Sequence, residues 1–294
     1  MRLAIFERAA DAGNGGLRLG IVDGEQVIDA TDAVPGVTAD DLGSRGLGAV
    51  IAAWDQAEPA LQQLAGGSNA GVPLSEVQLR APLRPATIIC CAGNYMEGED
   101  RPIKPLNGFM KSPQAVIGPD DTVQLPPHDC SIFHHEAELG IVVGRPAFRI
   151  TESEAAGHVF GFTAFIDVSG RQWPPTNAGA SFLGKSFHTF APLGPVVVTA
   201  DEVGDPQKLS VRLWVGDDLR QDYNTDDMEH PVPAVLAWGA GVVPLQPGDV
   251  LACGTNHHGL GPLQEGDVCT IEIEKIGRLS VNVSDPLGRS WPTD

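Results

Sequence analysis

Short apolar runs and frequent turn signals alternate along most of the chain. The runs are rich in Val, Ile, Phe and Thr, and they are separated by turns such as Asp23-Gly24, Leu193-Gly194-Pro195 and Gln246-Pro247-Gly248-Asp249. Punctuation at this close spacing is typical of many short strands with few helices. The pattern therefore predicts a mainly β (α+β) fold.

The first quarter of the chain carries a mixed pattern. Apolar residues alternate weakly over residues 3–6 and 17–22, whereas over residues 47–64 they recur at helical spacing. Residues 68–77 have the composition of a linker. We therefore predict a small N-terminal α+β domain over residues 1–75 and a larger β-rich domain over residues 76–294.

Within the larger domain, continuous or alternating apolar runs predict the main elements. Strands are expected at residues 137–143, 159–168, 250–255 and 268–273, and a short helix at residues 231–239.

Acidic residues interrupt two of the predicted strands. Glu136 and Glu138 lie two residues apart, so in an extended chain they project from the same face, about 7 Å apart. Asp167 lies inside an otherwise apolar run, where an unpaired carboxylate is rare. Three hard oxygen donors with coordination positions left open suit Mg²⁺ or Mn²⁺. The pattern indicates a metal site, because a partly buried pair of like charges is costly without a cation.

A second interpretation of these acids needs no metal. Glu136 and Glu138 would line a solvated strand face, and Asp167 would form a salt bridge with Arg171. Composition alone favours this second interpretation.

Charge and composition exclude several classes of partner. The chain has 19 basic and 38 acidic residues, a formal net charge of −19, so nucleic acid and anionic membranes should be repelled. Residues 1–10 have no long apolar region behind a basic stretch, and no apolar run of about 18 residues occurs, so we expect neither a signal peptide nor a membrane span. We expect a cytoplasmic protein whose five cysteines, without CxxC spacing, are reduced and mostly buried.

Several motifs, in order along residues 85–285, resemble the signatures of the fumarylacetoacetate hydrolase family. They are EAELGIVVG at residues 136–144, DVSGR at 167–171, GKSFHTFAPLGP at 184–195, QPGDV at 246–250 and GT at 254–255. The resemblance implies a mixed β-roll in the C-terminal domain and a homodimer. It also assigns the metal triad to Glu136, Glu138 and Asp167.

The same resemblance implies further site residues. Lys185 is assigned to catalysis and to binding a substrate carboxylate, since a cation beside three acids offsets their charge. Arg171 and Thr255 would contribute a fork of donors and a hydroxyl to the same ligand. Asn94 and Tyr95 match an Asn-Tyr element at the edge of the pocket.

The sequence departs from the family pattern at Gly98. Family hydrolases commonly have a histidine there, three residues after the tyrosine, and pair it with a glutamate to activate water. Glu97 and Glu99 are the nearest titratable replacements, in a stretch up to Asn107 whose Gly, Pro and charge content suggests a lid. His134, His135, His188, His257 and His258 are not assigned a role, because an unmatched histidine is more often structural.

The chemistry implied by the resemblance starts from a 2-keto acid or 1,3-dicarbonyl chelated to the metal, with an enolate forming. Carbon–carbon hydrolysis of an acylpyruvate-type substrate is the leading expectation. A lyase or isomerase on the same scaffold is the first alternative. A catalytically silent relative that binds metal or ligand is the second.

Overall fold

The structure is a computed structural model that describes residues 1–8, 16–67, 70–128, 130–172 and 181–292. The helices of this described part, in chain order, are α1 (Ala39–Arg45), α2 (Leu47–Ala52), α3 (Trp54–Ala65), α4 (Glu152–Ala155), α5 (Ser181–Lys185), α6 (Ala200–Val203) and α7 (Val232–Val242). The strands are β1 (Arg2–Arg8), β2 (Arg18–Asp23), β3 (Gln26–Asp29), β4 (Val72–Pro73), β5 (Val77–Arg80), β6 (Ile88–Cys91), β7 (Gly108–Lys111), β8 (Val116–Ile117), β9 (Thr122–Gln124), β10 (Ile132–His134), β11 (Ala137–Val143), β12 (Val159–Ile166), β13 (Ser169–Arg171), β14 (Ala191–Thr199), β15 (Ser210–Val215), β16 (Asp218–Asn224), β17 (Val250–Ala252), β18 (Val268–Ile273) and β19 (Gly277–Ser284).

One mixed sheet organises the molecule. Within the described residues it has 12 strands, in the order β4-β3-β2-β1-β14-β12-β11-β17-β6-β7, with β5 paired to β1 and β8 to β14. A sheet of five strands, β16-β15-β18-β19-β9, and the pair β10-β13 complete the described architecture. The mainly β, α+β prediction is confirmed.

The central strands of the large sheet are buried on both faces. Every residue of β11 and β14 is buried, and in β12 only the first residue is partly exposed. Strands covered on both faces are apolar throughout rather than alternating, which explains the continuous runs in the sequence. A polar side chain in this layer therefore needs a partner inside the protein.

The register of β11 and β12 positions the acids. The two strands are antiparallel with Ala137 opposite Ile166, so Glu136 and Asp167 lie just beyond the paired ends. The Asp167 N–H donates to the Glu136 carbonyl at 2.9 Å. The predicted strand over residues 159–168 ends at Ile166, and Asp167 therefore follows the strand instead of lying within it.

The other predicted helices and strands are present, and some of them begin or end at different residues than predicted. The helix expected over residues 47–64 is two helices, α2 and α3, because the chain leaves helical geometry at Ala53. The strand expected over residues 250–255 ends at Ala252, and the predicted helix near residue 231 runs from Val232 to Val242. The strands over residues 137–143 and 268–273 are confirmed.

The N-terminal segment is continuous with the large sheet. Arg2 and Leu3 of β1 pair with Val198 and Val197 of β14, so a division near residue 75 would separate strands of one sheet and stays a prediction. Residues 68 and 69 of the predicted linker lie outside the described part, and Val72 and Pro73 form β4. Among the described helices none reaches the length and apolarity needed to cross a bilayer.

Candidate active site

Three carboxylates meet where β11 begins and β12 ends. One oxygen from each of Glu136, Glu138 and Asp167 lies within 4.8 Å of the other two. The three residues are only 5%, 1% and 0% exposed. A solvated strand face is therefore excluded, and the structure brings together the three residues predicted to hold a metal.

Three cations surround this carboxylate cluster. The Lys185 ammonium donates to Glu136 Oε2 at 2.7 Å and to Asp167 Oδ2 at 2.5 Å. The Lys111 ammonium pairs with Asp167 Oδ1 and donates to the Val168 carbonyl at 3.0 Å. Arg171 pairs with Glu136 and not with Asp167, the partner that the metal-free interpretation gave it.

Lys111 is a site residue that the sequence reasoning missed. It ends β7 and is 1% exposed, and its salt bridge to Asp167 is completely buried. The available signal was the same one that singled out Asp167, a charged residue closing a short apolar run. What the sequence does not show is that β7 and the end of β12, 56 residues apart, come into contact.

Burial and neighbouring charges shift the pKa values within the cluster in different directions. Burial, together with the charges of Asp167 and Glu136, raises the pKa of Glu138 well above its usual range. Burial also tends to raise the pKa of Glu136, but Lys185 and Arg171 reverse this and lower it. For Lys185, burial favours the neutral amine, yet the two acids outweigh it and raise the pKa. Lys185 therefore stays an ammonium.

The donor set fits a hard divalent cation. Glu138 makes no contact with the three cations in the described part, and its Oε2 accepts the Gly254 N–H at 2.7 Å. The repulsion that raises its pKa is the repulsion that a divalent ion between the three carboxylates would relieve. The buried triad can therefore bind a metal.

Gln221 fixes the segment that follows Gly254. Its carbonyl oxygen accepts the Ala137 N–H at 3.0 Å, and its amide donates to Thr255 Oγ1 at 2.8 Å and to the Asn256 carbonyl at 2.6 Å. Thr255 follows Gly254, which bonds to Glu138, but it is 3% exposed and its hydroxyl accepts a hydrogen bond from Gln221; its predicted role in substrate binding stays a prediction. The sequence reasoning did not identify Gln221, a buried amide on β16.

Tyr95 and the two lid acids lie differently from the expectation. Tyr95 is 1% exposed and packs edge-on against Tyr223, with ring centroids 5.0 Å apart, so its side chain is buried where an exposed position at the pocket edge was expected. The Glu97 carboxylate is bound to His257. The Glu99 side chain is 59% exposed and pairs with Arg101. Arg171 is partly exposed at the border of the cluster.

All five cysteines are buried free thiols, as expected from their spacing. Cys90 lies near the cluster, where burial and then the charges of Asp167 and Glu138 raise its pKa. A thiol with a raised pKa is a poor nucleophile and metal ligand, so the carboxylates are left as the ligand set.

Comparisons with known proteins place this geometry in one family. The pattern described as "Fumarylacetoacetate (FAA) hydrolase C-terminal" matches residues 87–284. The mitochondrial oxaloacetate tautomerase of Xenopus laevis is 33% identical over 95% of this chain and 89% of its own length. The human mitochondrial oxaloacetate tautomerase is 36% identical over 70% of this chain and 69% of its own.

Solved structures agree with this assignment. Maleylpyruvate hydrolase from Sphingobium sp. SYK-6, in complex with manganese(II) and pyruvate, is 33% identical with a TM-score of 0.82, covering 97% of this chain and 99% of that chain. A 2-hydroxyhepta-2,4-diene-1,7-dioate isomerase from Mycobacterium marinum is 29% identical with a TM-score of 0.73, covering 97% and 99%. The buried acid triad, the family pattern and these enzymes together show that the chain is an enzyme of the fumarylacetoacetate hydrolase family.

Proposed function

We propose that the chain is a Mg²⁺- or Mn²⁺-dependent enzyme that transfers a proton at C3 of a small 2-keto dicarboxylic acid, interconverting its keto and enol forms. The observation that carries this proposal is the buried cluster of Glu136, Glu138 and Asp167 with the Lys185 ammonium against two of them. Loss of the C3 proton puts negative charge on the C2 oxygen, and a preorganised cationic site stabilises that charge.

Glu136, Glu138 and Asp167 are the residues that would hold the metal. When bound, a divalent ion supplies Lewis-acid polarisation of the substrate carbonyl. The remaining contribution comes from the chain: Lys185 offers a permanent ammonium for an anionic group, and the partly exposed Arg171 offers donors at the border of the cluster.

The charge balance of the cluster supports a substrate with two carboxylates. Three carboxylates are matched by Lys111, Lys185 and Arg171, so a bound divalent ion leaves an excess of two positive charges. A dianion neutralises this excess in a site from which water is largely excluded. The relatives named for oxaloacetate and maleylpyruvate act on molecules of this kind.

Carbon–carbon hydrolysis of an acylpyruvate is a second candidate function. The observation that favours it is the similarity to maleylpyruvate hydrolase over nearly the whole of both chains. Hydrolysis needs a base that activates water, and the lid supplies Glu97 and Glu99, of which the first is bound to His257 and the second turns to solvent. Cleavage of the C3–C4 bond would release the pyruvate part as an enolate that takes up a proton at C3, so both candidates require the site to stabilise an enolate.

Deuterium exchange at C3 tests the proposal. In deuterium oxide, oxaloacetate, pyruvate and an acylpyruvate are incubated with the protein and Mg²⁺ or Mn²⁺, and proton NMR follows loss of the C3 signal over the buffer rate. We expect metal-dependent exchange that is fastest for the dicarboxylates and is abolished by a chelator. Release of free pyruvate from the acylpyruvate reports hydrolysis separately. Absence of exchange with either metal and all three substrates contradicts the proposal.

A further inference from the structure

The loop of residues 254–262 begins and ends on the chain segment that carries the acids. At its start, the Gly254 N–H donates to Glu138. At its end, Pro262 forms a bridge to His134, and the next residue, Leu263, donates its N–H to the Phe133 carbonyl at 2.8 Å. His134 and Glu138 are about 13 Å apart in an extended chain. The two ends of the loop therefore contact residues on either side of Glu136.

Two buried contacts hold this loop rigidly. Gln221 binds Thr255 and Asn256 on one side and the start of β11 on the other. Asn94 donates to the Cys253 carbonyl at 3.0 Å, just before the loop. His257 follows directly after these bound residues. It is 46% exposed, so its ring can exchange protons with water.

The Glu97 carboxylate binds both the ring and the backbone of His257. Its Oε1 accepts the His257 N–H at 2.8 Å and lies 2.5 Å from Nδ1. Glu97 adopts a left-handed backbone, φ +58°, which residues other than glycine rarely adopt. The Glu97 N–H donates to Asp227 Oδ2 at 2.9 Å, and that oxygen also accepts the Asn256 amide at 3.3 Å. A strained residue held by several bonds indicates a functional constraint.

The electrostatics fit a carboxylate that orients an imidazole. Burial alone would raise the pKa of Glu97, but the hydrogen bonds from His257 lower it. An ionised Glu97 accepts a hydrogen bond from Nδ1–H, which fixes the tautomer in which Nε2 carries the free lone pair. The charged or titratable groups around the pair are Asp227, His258 and His134. Among the described residues none bonds to Nε2.

We propose that His257 is the catalytic base of the site and that Glu97 is its positioning residue, an inference that rests on the proposed proton transfer at C3. The C3–H bond breaks, the proton passes to His257 Nε2, and the electron pair enters the C2–C3 bond as charge moves to the C2 oxygen. The imidazolium then returns the proton to C3 or exchanges it with water. Glu97 acts through the histidine, and His257 supplies the imidazole that the sequence lacks at Gly98.

The test is the deuterium-exchange assay with the metal-loaded enzyme and oxaloacetate. His257→Asn keeps a donor for Glu97 but removes the base, so we expect kcat for exchange to fall by about 100-fold or more, with KM changed by less than about threefold. Imidazole added to His257→Gly should restore part of the rate, which a purely structural role would not allow. Glu97→Gln alone should lower kcat for exchange roughly tenfold. Combined with His257→Asn, it should lower kcat no further than His257→Asn does alone.

The neighbouring histidine provides the matched control. His258→Asn should exchange within about twofold of the parent rate, since His258 does not bond to Glu97. A parent enzyme that exchanges C3 protons while His257→Asn does so at the same rate overturns the dyad and leaves the proposed function intact. A His257→Gly protein that imidazole does not rescue overturns it as well. A parent enzyme without exchange refutes the proposed function itself.

Discussion

At the scale of single residues, burial and hydrogen-bond partners determine the charge state of each acid in the cluster. Asp167 follows the apolar strand β12 and is completely buried, and two lysines bond to its two oxygens. Glu138 lies within β11, and its hydrogen-bond partner among the described residues is the backbone N–H of Gly254. Neighbouring carboxylates with such different partners ionise at different pH values.

Replacing Asp167 tests the metal site directly. Asp167→Asn removes one ligand charge at nearly constant volume, so calorimetry should show Mg²⁺ or Mn²⁺ affinity reduced by at least about 100-fold. The control is Asp218→Asn, which changes an exposed acid on β16. Equal metal affinity in the parent and Asp167→Asn would remove the triad as the binding site.

The raised pKa of Glu138 predicts that metal stabilisation grows with pH. In the metal-free protein this carboxyl has a higher pKa when folded than when unfolded. Its contribution to the free energy of unfolding is therefore full at low pH and is lost as the pH rises through the folded value. Bound metal relieves the repulsion that causes this loss. The shift in Tm on adding Mg²⁺ should therefore increase as the pH is raised above the ordinary glutamate range.

Glu138→Gln is the matched variant for this pH dependence. It has no carboxyl to titrate, so any remaining shift in Tm on adding Mg²⁺ should vary much less with pH. A Tm shift that rises with pH equally in both proteins would show that another group is responsible.

Lys185 should determine the affinity for anions. Lys185→Met removes an ammonium that contacts both Glu136 and Asp167, and a charge-assisted hydrogen bond contributes roughly 1.5 to 3 kcal/mol. Oxalate binding to the metal-loaded protein should weaken by more than about tenfold in calorimetry. Lys208→Met, at a lysine whose side chain is 76% exposed, serves as the control. Unchanged oxalate affinity would place Lys185 outside the binding pocket.

At the scale of elements, β16 connects the site to the loop of residues 254–262. Gln221 of β16 bonds both to Ala137 and to the loop, and it is 0% exposed. This amide side chain therefore links the start of β11 in the large sheet to the five-stranded sheet and to the loop. The loop carries His257, and its first residue, Gly254, bonds to Glu138. The position of β16 therefore affects where His257 and Gly254 lie relative to the acids.

Gln221→Leu should destabilise the protein and loosen this loop. The Ala137 N–H and the Asn256 carbonyl would lose buried partners, at about 1–3 kcal/mol each. Hydrogen–deuterium exchange of residues 254–262 should accelerate, and denaturant unfolding should show a loss of more than about 2 kcal/mol. Gln124→Leu, at an exposed glutamine, is the control. Unchanged loop exchange in Gln221→Leu would contradict the role of β16.

For the whole molecule, charge and assembly are the relevant properties. The net charge of −19 repels anionic substrates at long range, so their capture depends on the local cations of the cluster. We further propose that the chain is a homodimer, as the family resemblance implies. Such an interface would cover large apolar side chains that are exposed in the single chain, including Met110 and Phe182.

Sedimentation tests the homodimer. At micromolar concentration we expect a species of about twice the monomer mass of 30.9 kDa. Since interfaces between obligate partners are more apolar than the remaining surface, Met110→Lys should shift the population toward monomer, whereas Lys208→Glu at an exposed lysine should not. A single 30.9 kDa species in the parent protein would rule the dimer out.

The sequence by itself determined the local features of this protein. Strand alternation placed Glu136 and Glu138 on one side, an acid in an apolar run singled out Asp167, and ordered motifs identified the family and Lys185. These signals are readable because they depend on residues a few positions apart. The strands of the core were found for the same reason, since burial on both faces leaves continuous apolar runs.

Only the tertiary structure decided which distant residues meet. Lys111 bonds to Asp167, which lies 56 residues away in the sequence. The corresponding separation is 84 residues for Gln221 and Ala137 and 160 residues for His257 and Glu97. Such contacts depend on the order of strands in a sheet and on how loops return to it. Side-chain periodicity defines a face but not the partner of that face. The partners of the acids, and the histidine bound to Glu97, are therefore known only from the tertiary structure.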